Sequence, residues 1–286
     1  MPYQVVPASE VDFDAFVQAF NEAYEHYFVH IQLTPANLLS LIKRDAIDLD
    51  ASVASVDEEG HVVGVAMLAI RPPRSWVGGV GVVEQHRQKG IARNMMQSLI
   101  QNARQKGLAS VELEVITQNT KAYDLYEDLG FKTQRRLLIL HRPAGDAVLP
   151  SGFIVRECPA LEALEYFESF HNTPNAWQRS LPALQSFALG HLEGWTIASE
   201  NNPTQVVGYA VGWPNDEHIQ WMDIAIDPHA SQRTEIGTAL LATVHHELPM
   251  ATGAIVNLGE HDAEVVSFEA LGYTETMAQF EMRLDL

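Results

Sequence analysis

Val80-Gly81-Val82-Val83-Glu84-Gln85-His86-Arg87-Gln88-Lys89-Gly90-Ile91-Ala92-Arg93 is an extended apolar run, a short polar turn with one glycine, and the start of a helix. A strand that feeds a helix through such a turn aims several free backbone N–H groups and the positive end of the helix dipole at one point. That point suits a pyrophosphate. Gly90 lets a ligand approach the backbone without a Cβ in the way, Ala92 is nearly as small, and Arg87, Lys89 and Arg93 add positive charge around it. A plain strand-turn-helix connection with a charged helix start fits these residues as well. The stretch is not a Walker A loop, because no Gly-Lys-Ser/Thr follows, and it lacks the Gly-x-Gly-x-x-Gly spacing of a dinucleotide turn.

About 20 residues further on, Glu114-Val115-Ile116-Thr117-Gln118-Asn119 leads into Thr120-Lys121-Ala122-Tyr123-Asp124-Leu125-Tyr126, and Gly130-Phe131 follows. Asn119 is placed to cap a helix over 120–129, and Gly130 supplies its left-handed stop. Asn119 and Tyr126 lie two helical turns apart, on one face, with the small Ala122 between them. Hydrophobic periodicity elsewhere predicts strands at 3–7, 51–56, 61–70, 76–83, 109–116 and 131–141, and helices at 11–26, 35–45 and 88–106. Residues 142–152, with two prolines and two glycines, read as a linker. The same order of elements then recurs with a period near 145 residues. Helices alternating with strands make this an α/β chain in two similar halves.

The 286 residues are 47% hydrophobic, enough for two ordinary cores, and the longest apolar run, Val62 to Ile70, is too short to span a membrane. The N-terminal residues lack the pattern of a secretory signal, and one cysteine, Cys158, cannot form an internal disulfide, so a cytoplasmic protein is expected. A net charge of −19 argues against nucleic-acid binding. The charge is uneven. Residues 1–145 hold 14 Lys and Arg against 17 Asp and Glu, whereas residues 146–286 hold 4 against 20. A polyanionic ligand is therefore expected in the first half.

Taken together, the two motifs resemble the GNAT superfamily of N-acetyltransferases. Its turn, Arg/Gln-x-x-Gly-x-Gly/Ala, is matched by Arg87, Gly90 and Ala92, and its later Asn-x-x-Ala-x-x-x-Tyr-x-x-x-Gly-Phe by Asn119, Ala122, Tyr126, Gly130 and Phe131. The resemblance implies a mixed sheet splayed open between the strands at 76–83 and 109–116, with acetyl-CoA as co-substrate in the gap. It implies that the backbone of Val80, Gly81 and Val82 bonds the pantetheine and that Gln88, Lys89, Gly90, Ile91, Ala92 and Arg93 hold the pyrophosphate. Asn119 then contacts the cofactor, and Tyr126 protonates the departing thiolate. Glu114 occupies the position of the general base in ribosomal-protein alanine N-acetyltransferases, on a strand face shared with Glu112 that is equally readable as solvated. Tyr24, Tyr27 and Phe28 fall near the loop that shapes the acceptor site in this superfamily.

Aligned on the repeat, Glu235 replaces Gly90, His261 replaces Asn119, Glu264 replaces Ala122 and Phe268 replaces Tyr126. The second half therefore reads as a degenerate copy without acetyl-CoA chemistry, in a tandem layout similar to mycothiol synthase. The expected division is a catalytic domain over 1–143, a linker over 144–152 and the degenerate domain over 153–286. Four of the five tryptophans lie in that second domain, where core packing is expected, with binding of a cationic acceptor as the alternative.

The expected activity is direct transfer of an acetyl group to a primary amine of a small molecule or peptide. Two alternatives are a non-catalytic acetyl-CoA sensor and an acyltransferase using a longer acyl-CoA, for which Gly78, Gly79 and Gly81 would leave room. No metal is expected: His26 and His30 have the spacing of a ligand pair but no third partner. Arg71 and Arg74 read as solvated loop arginines, with contact to an acidic group on the acceptor as the alternative; His245-His246-Glu247 reads as a solvated helix end, and a homodimer is compatible with the sequence.

Overall fold

The computed structural model describes residues 3–29, 31–190 and 192–286; His30 lies outside the described residues. In chain order the first repeat forms β1 (Tyr3–Pro7), α1 (Phe13–Tyr24), α2 (Pro35–Asp45), β2 (Val53–Asp57), β3 (Val62–Arg71), β4 (Arg74–Val82), α3 (Ile91–Gln105), β5 (Ser110–Ile116), α4 (Thr120–Asp128) and β6 (Lys132–Arg142). The second forms β7 (Phe153–Pro159), α5 (Ala160–Ala163), α6 (Phe167–Phe170), α7 (Leu181–Ala188), β8 (Glu193–Ser199), β9 (Asn202–Pro214), β10 (His218–Ile226), α8 (Arg233–Glu247), β11 (Thr252–Gly259), α9 (Val265–Ala270) and β12 (Thr274–Asp285). The helices α5 to α7 carry no clear period and were not expected.

Packing divides the chain into Met1–Gln134 with Phe280–Leu286, and Arg135–Gln279. This differs from the division at 143 and 153. Each repeat lends the greater part or the end of its last strand to the other unit. Residues Leu137 to Arg142 of β6 pair antiparallel with β11, and the tail of β12 lies beside β5, where Leu286 N–H donates to Ala109 O at 3.0 Å. The linker composition marks a chain crossing but carries no information about which of two similar slots a strand fills.

In the first unit β1 to β4 run antiparallel and β5 is parallel to β4. That parallel pairing covers only Arg74↔Ser110 to Trp76↔Glu112; beyond it the strands part. A bulge at Gly78 bends β4 at the same place, since Val77 pairs with Leu68 and Gly79 with Met67. One face of α3 (Ile91, Met95, Met96, Leu99, Ile100, Ala103) is buried against Val53, Ala66, Leu68, Val111 and Leu113 of the sheet. Fully burying each of the larger side chains contributes roughly 1.5 to 3 kcal/mol, which fixes the start of α3 relative to the end of β4. The helix α1, capped by Asp12 through a 2.9 Å bond from Ala15 N–H, packs on β3 and β4.

The second unit has the strand order β12 (its start), β6, β11, β10, β9, β8, β7. Trp177, Trp195 and Trp221 are buried in it, as core packing predicts, and Trp213 is half-buried. His245 is not at a solvated helix end. It is fully buried, with Nε2 2.7 Å from the Tyr273 hydroxyl and Nδ1 3.2 Å from Arg142 Nη1. Burial and the Arg142 charge push its pKa down to about 4. The cause is that α8 is buried on most sides, so its polar residues were misleading. No helix among the described residues is long and apolar enough to cross a membrane.

Candidate active site

Most of the residues singled out from the sequence line one cavity of about 500 Å³ in the first unit: Val80, Gly81, Val82, Arg87, Gln88, Gly90, Ile91, Ala92, Arg93, Asn119 and Tyr126. Lys89 and Glu114 do not. The Lys89 ammonium donates to the Tyr3 hydroxyl at 3.0 Å and lies over that ring.

The turn that opens α3 is strongly bent. Gly90 is left-handed (φ 78°, ψ 2°), and Gln88, a residue with a Cβ, is left-handed too (φ 63°). A Cβ built on Gly90 would meet nothing within 4 Å, so the glycine faces open space as well as a demanding backbone angle. Backbone N–H groups arranged in this way at the start of a 15-residue helix form an anion-binding concavity. Its cations are less free than the sequence suggested. The Arg87 guanidinium donates to Val82 O at 3.0 Å and Ala23 O at 2.9 Å, tying the turn to β4 and the end of α1. Arg93 pairs with Asp128 at 2.8 Å in an exposed bridge, which is weak enough to exchange for a ligand. What the turn offers an anion is therefore the helix start and its peptide N–H groups more than side-chain charge.

The opposite wall comes from α4 and α1. Asn119 caps α4, its side chain accepting from Ala122 N–H at 3.4 Å. Tyr126 is buried apart from the cavity, and its hydroxyl makes no hydrogen bond with the described residues. Burial pushes its pKa well above the phenol range, so it stays protonated at any physiological pH. Tyr24 stacks on Phe20 at 4.5 Å and donates to Val80 O at 3.2 Å. Tyr27 and Phe28 complete an aromatic rim, with ring centroids 5.3 Å apart.

Glu114 is half-buried, not on a wet strand face. Trp76 Nε1–H donates to its Oε2 at 2.6 Å. Burial is the main force on this carboxyl, raising its pKa to about 8, with the indole opposing and Glu281, Glu112 and Asp45 reinforcing. Glu112 is buried against Arg74, which therefore is not a solvated arginine. Trp76 is the residue the sequence reading passed over; its position two residues before Gly78 was the available signal.

The sequence matches the acetyltransferase (GNAT) family over residues 13–131 and again over 161–261. The chain belongs to the GNAT acetyltransferase family. It carries two tandem GNAT domains, and the activity that goes with the family is acyl-CoA-dependent acyl transfer to nitrogen, with acetyl-CoA as the usual co-substrate. Solved structures share this fold over the full length. A tandem GNAT protein from the clavulanic acid biosynthesis pathway is 15% identical with a TM-score of 0.71, covering 99% of this chain and 98% of its own. A GCN5-related N-acetyltransferase from Sphaerobacter thermophilus is 15% identical with a TM-score of 0.75, covering 99% and 96%. One from Kribbella flavida is 18% identical with a TM-score of 0.62, covering 99% and 71%. No curated protein sequence matches this one.

The second GNAT domain handles the same positions differently. The helix α8 begins at Arg233, three residues earlier than α3 does on the repeat alignment, so Glu235 lies inside the first helical turn and no left-handed residue opens the helix. At Gly237, the counterpart of Ala92, a Cβ would meet Ser267 Oγ at 2.3 Å, so α8 and α9 close directly on each other. Glu264, the counterpart of Ala122, pairs with Arg233 at 3.0 Å and accepts from Ile226 N–H at 3.4 Å. Where β10 and β11 part, after Trp221↔Ile255, the buried Arg179 guanidinium fills the gap, donating to Met222 O, Asn257 O and Asp223.

Proposed function

We propose that this chain is an acetyl-CoA-dependent N-acetyltransferase that acts on a primary amine and uses one acetyl-CoA site, the cavity of the first unit. The observation that carries this reading is the Tyr126 hydroxyl, without a partner among the described residues, in the wall of a cavity whose floor is the left-handed Gly90 turn. A structural tyrosine buried to this degree ordinarily has a partner for its hydroxyl. The occupied gap at Arg179 and the closed α8–α9 contact support a second domain that does not bind acyl-CoA.

Bound acetyl-CoA supplies the thioester; the amine attacks its carbonyl, the C–S bond breaks and CoA leaves as the thiol. Tyr126 gives the sulfur its proton. Proton transfer from a phenol to a thiolate is uphill in water, and burial penalises both anions, so the step is drawn forward by the favourable conversion of a thioester to an amide. Glu114 takes the ammonium proton. Its carboxylate does not line the cavity, so the transfer runs through water. A base with a pKa of about 8 is well matched to an amine near neutral pH.

A longer acyl donor is disfavoured. The space at Gly78, Gly79 and Gly81 is already taken: a Cβ at these positions would meet the Trp76 ring at 2.7 Å, Met67 at 3.2 Å and Ala23 at 2.7 Å. The test is CoA release across a panel of amino acids, polyamines, aminoglycosides and peptide N-termini, with acetyl-, butyryl- and hexanoyl-CoA as donors. Amine-dependent release with acetyl-CoA supports the proposal. Tight acetyl-CoA binding with no release for any amine supports the sensor, and faster turnover of the longer donors refutes the acetyl assignment.

A further inference from the structure

The end of the β4–β5 pairing holds an arrangement that the reaction as described does not explain. Gly78 is the bulged residue of β4, and a Cβ there would point to the side of the strand that carries the Trp76 ring, two residues before it. The indole folds back over Gly78, so closely that a Cβ there would lie 2.7 Å from Cζ3. In that position the buried ring crosses the opening between the strands and presents Nε1 to Glu114, one pleat beyond its own register partner Glu112.

We propose that Trp76, seated on Gly78, is the positioning residue that holds the Glu114 carboxylate in the orientation and charge state of a base. This rests on the reading of Glu114 as the base.

The surroundings show why a donor is needed. Carboxylates face Glu114 from three elements: Asp45 at the end of α2, Glu112 on β5 and Glu281 on β12. The nearby cations direct their hydrogen bonds elsewhere, although the Arg74 charge also couples to Glu114. Arg74 of β4 chelates Glu112, Arg283 of β12 lies 3.7 Å from Glu112, and Arg44 pairs with Asp45, beside which Arg71 of β3 also lies. Among the described residues the indole N–H is the donor that reaches Glu114. A hydrogen bond to the ionised form favours it, opposing burial and the three like charges. By engaging Oε2, the indole also leaves Oε1 as the proton-accepting atom. An indole has two side-chain torsions and is fixed here by its own backbone neighbour, so the carboxylate is held with little further entropy cost.

Two readouts test this. In protein with 15N-labelled tryptophan, five indole resonances are present, and Trp76→Phe identifies the relevant one by its loss. We expect that resonance to titrate in wild type with a midpoint near 8 and to be flat with pH in Glu114→Gln. In pH profiles of kcat/KM, Trp76→Phe keeps the ring but removes the donor, so the acid limb is expected to move up by about one pH unit, a tenfold change in proton affinity. Its kcat at high pH should recover and its acetyl-CoA Kd stay within about twofold. Gly78→Ala, which pushes the ring off its seat with the indole intact, should move the limb the same way, and it serves if Trp76→Phe does not fold.

A wild-type indole resonance that ignores pH overturns the proposal. So does an even loss of kcat at every pH with an unmoved limb in Trp76→Phe and Gly78→Ala, the signature of packing alone. Full activity in Glu114→Gln would remove the base reading, and with it the positioning role, whereas a crippled Glu114→Gln beside an unaffected Trp76→Phe would remove the positioning role and leave the base.

Discussion

Replacing Gly90 by alanine and by glutamate separates backbone strain from charge in the turn before α3. The native φ of 78° is left-handed, and either side chain costs roughly 1 to 2 kcal/mol there. The added Cβ meets nothing within 4 Å in either variant. Both variants should therefore lose a similar few degrees of Tm, at roughly 2 to 4 °C per kcal/mol for a chain of this size. Binding should separate them. A carboxylate about 4 Å from one pyrophosphate charge, in a partly desolvated site, adds roughly 4 kcal/mol of repulsion, about a thousandfold in Kd. Calorimetry with CoA at low salt is expected to show Gly90→Ala weakened by tenfold or less and Gly90→Glu by a thousandfold or more. The difference should shrink as salt rises to 0.5 M, where the Debye length falls to about 4 Å. Equal affinities, or complete loss already in Gly90→Ala, would refute the assignment of this turn to the pyrophosphate.

Tyr126→Phe should cut kcat by about tenfold or more while leaving acetyl-CoA affinity unchanged, in line with the usual contribution of a positioned acid; a wild-type kcat would remove the acid. Glu114 predicts a pH-dependent stability of defined sign. Its folded pKa of about 8 exceeds the ordinary 4.5, so the folded chain retains a proton that the unfolded chain has released. Its contribution to stability is full below pH 4.5 and lost as pH rises through about 8, and urea unfolding at pH 5 and 8.5 should show a decline on the order of a few kcal/mol, less for its partial exposure, that Glu114→Gln abolishes. In the second unit, Arg179→Met removes one ion-pair partner of the buried Asp223 carboxylate, which keeps His171, Tyr209 and Asn175, and should destabilise that unit by roughly 1 to 3 kcal/mol in chemical denaturation, with acetyl-CoA Kd unaltered.

Much of the site was legible because it is written in local backbone chemistry. A glycine that must be left-handed, an asparagine that caps α4 and a small residue between Asn119 and Tyr126 are all readable within a dozen residues, and the structure places them on one cavity. What was not legible depends on partners distant in sequence. Glu114 and Trp76 are 38 residues apart, Arg87 and Ala23 are 64 apart, and alternation along β5 says which face Glu114 takes but not what covers it. Gly78, Gly79 and Gly81 looked like open space because a glycine marks where a side chain is missing and not which neighbour fills the gap. The strand exchange was invisible for the same reason: β6 and β12 have similar patterns, and pairing is decided by the sheet edge each meets.

The central claim is that acetyl-CoA has one site in this chain, on the first unit. Hydrogen–deuterium exchange with and without acetyl-CoA tests it directly. Slowed exchange is expected over residues 80–93 and 119–126, with residues 226–237 and 261–268 unchanged. Protection in the second set, or none in the first, would contradict it.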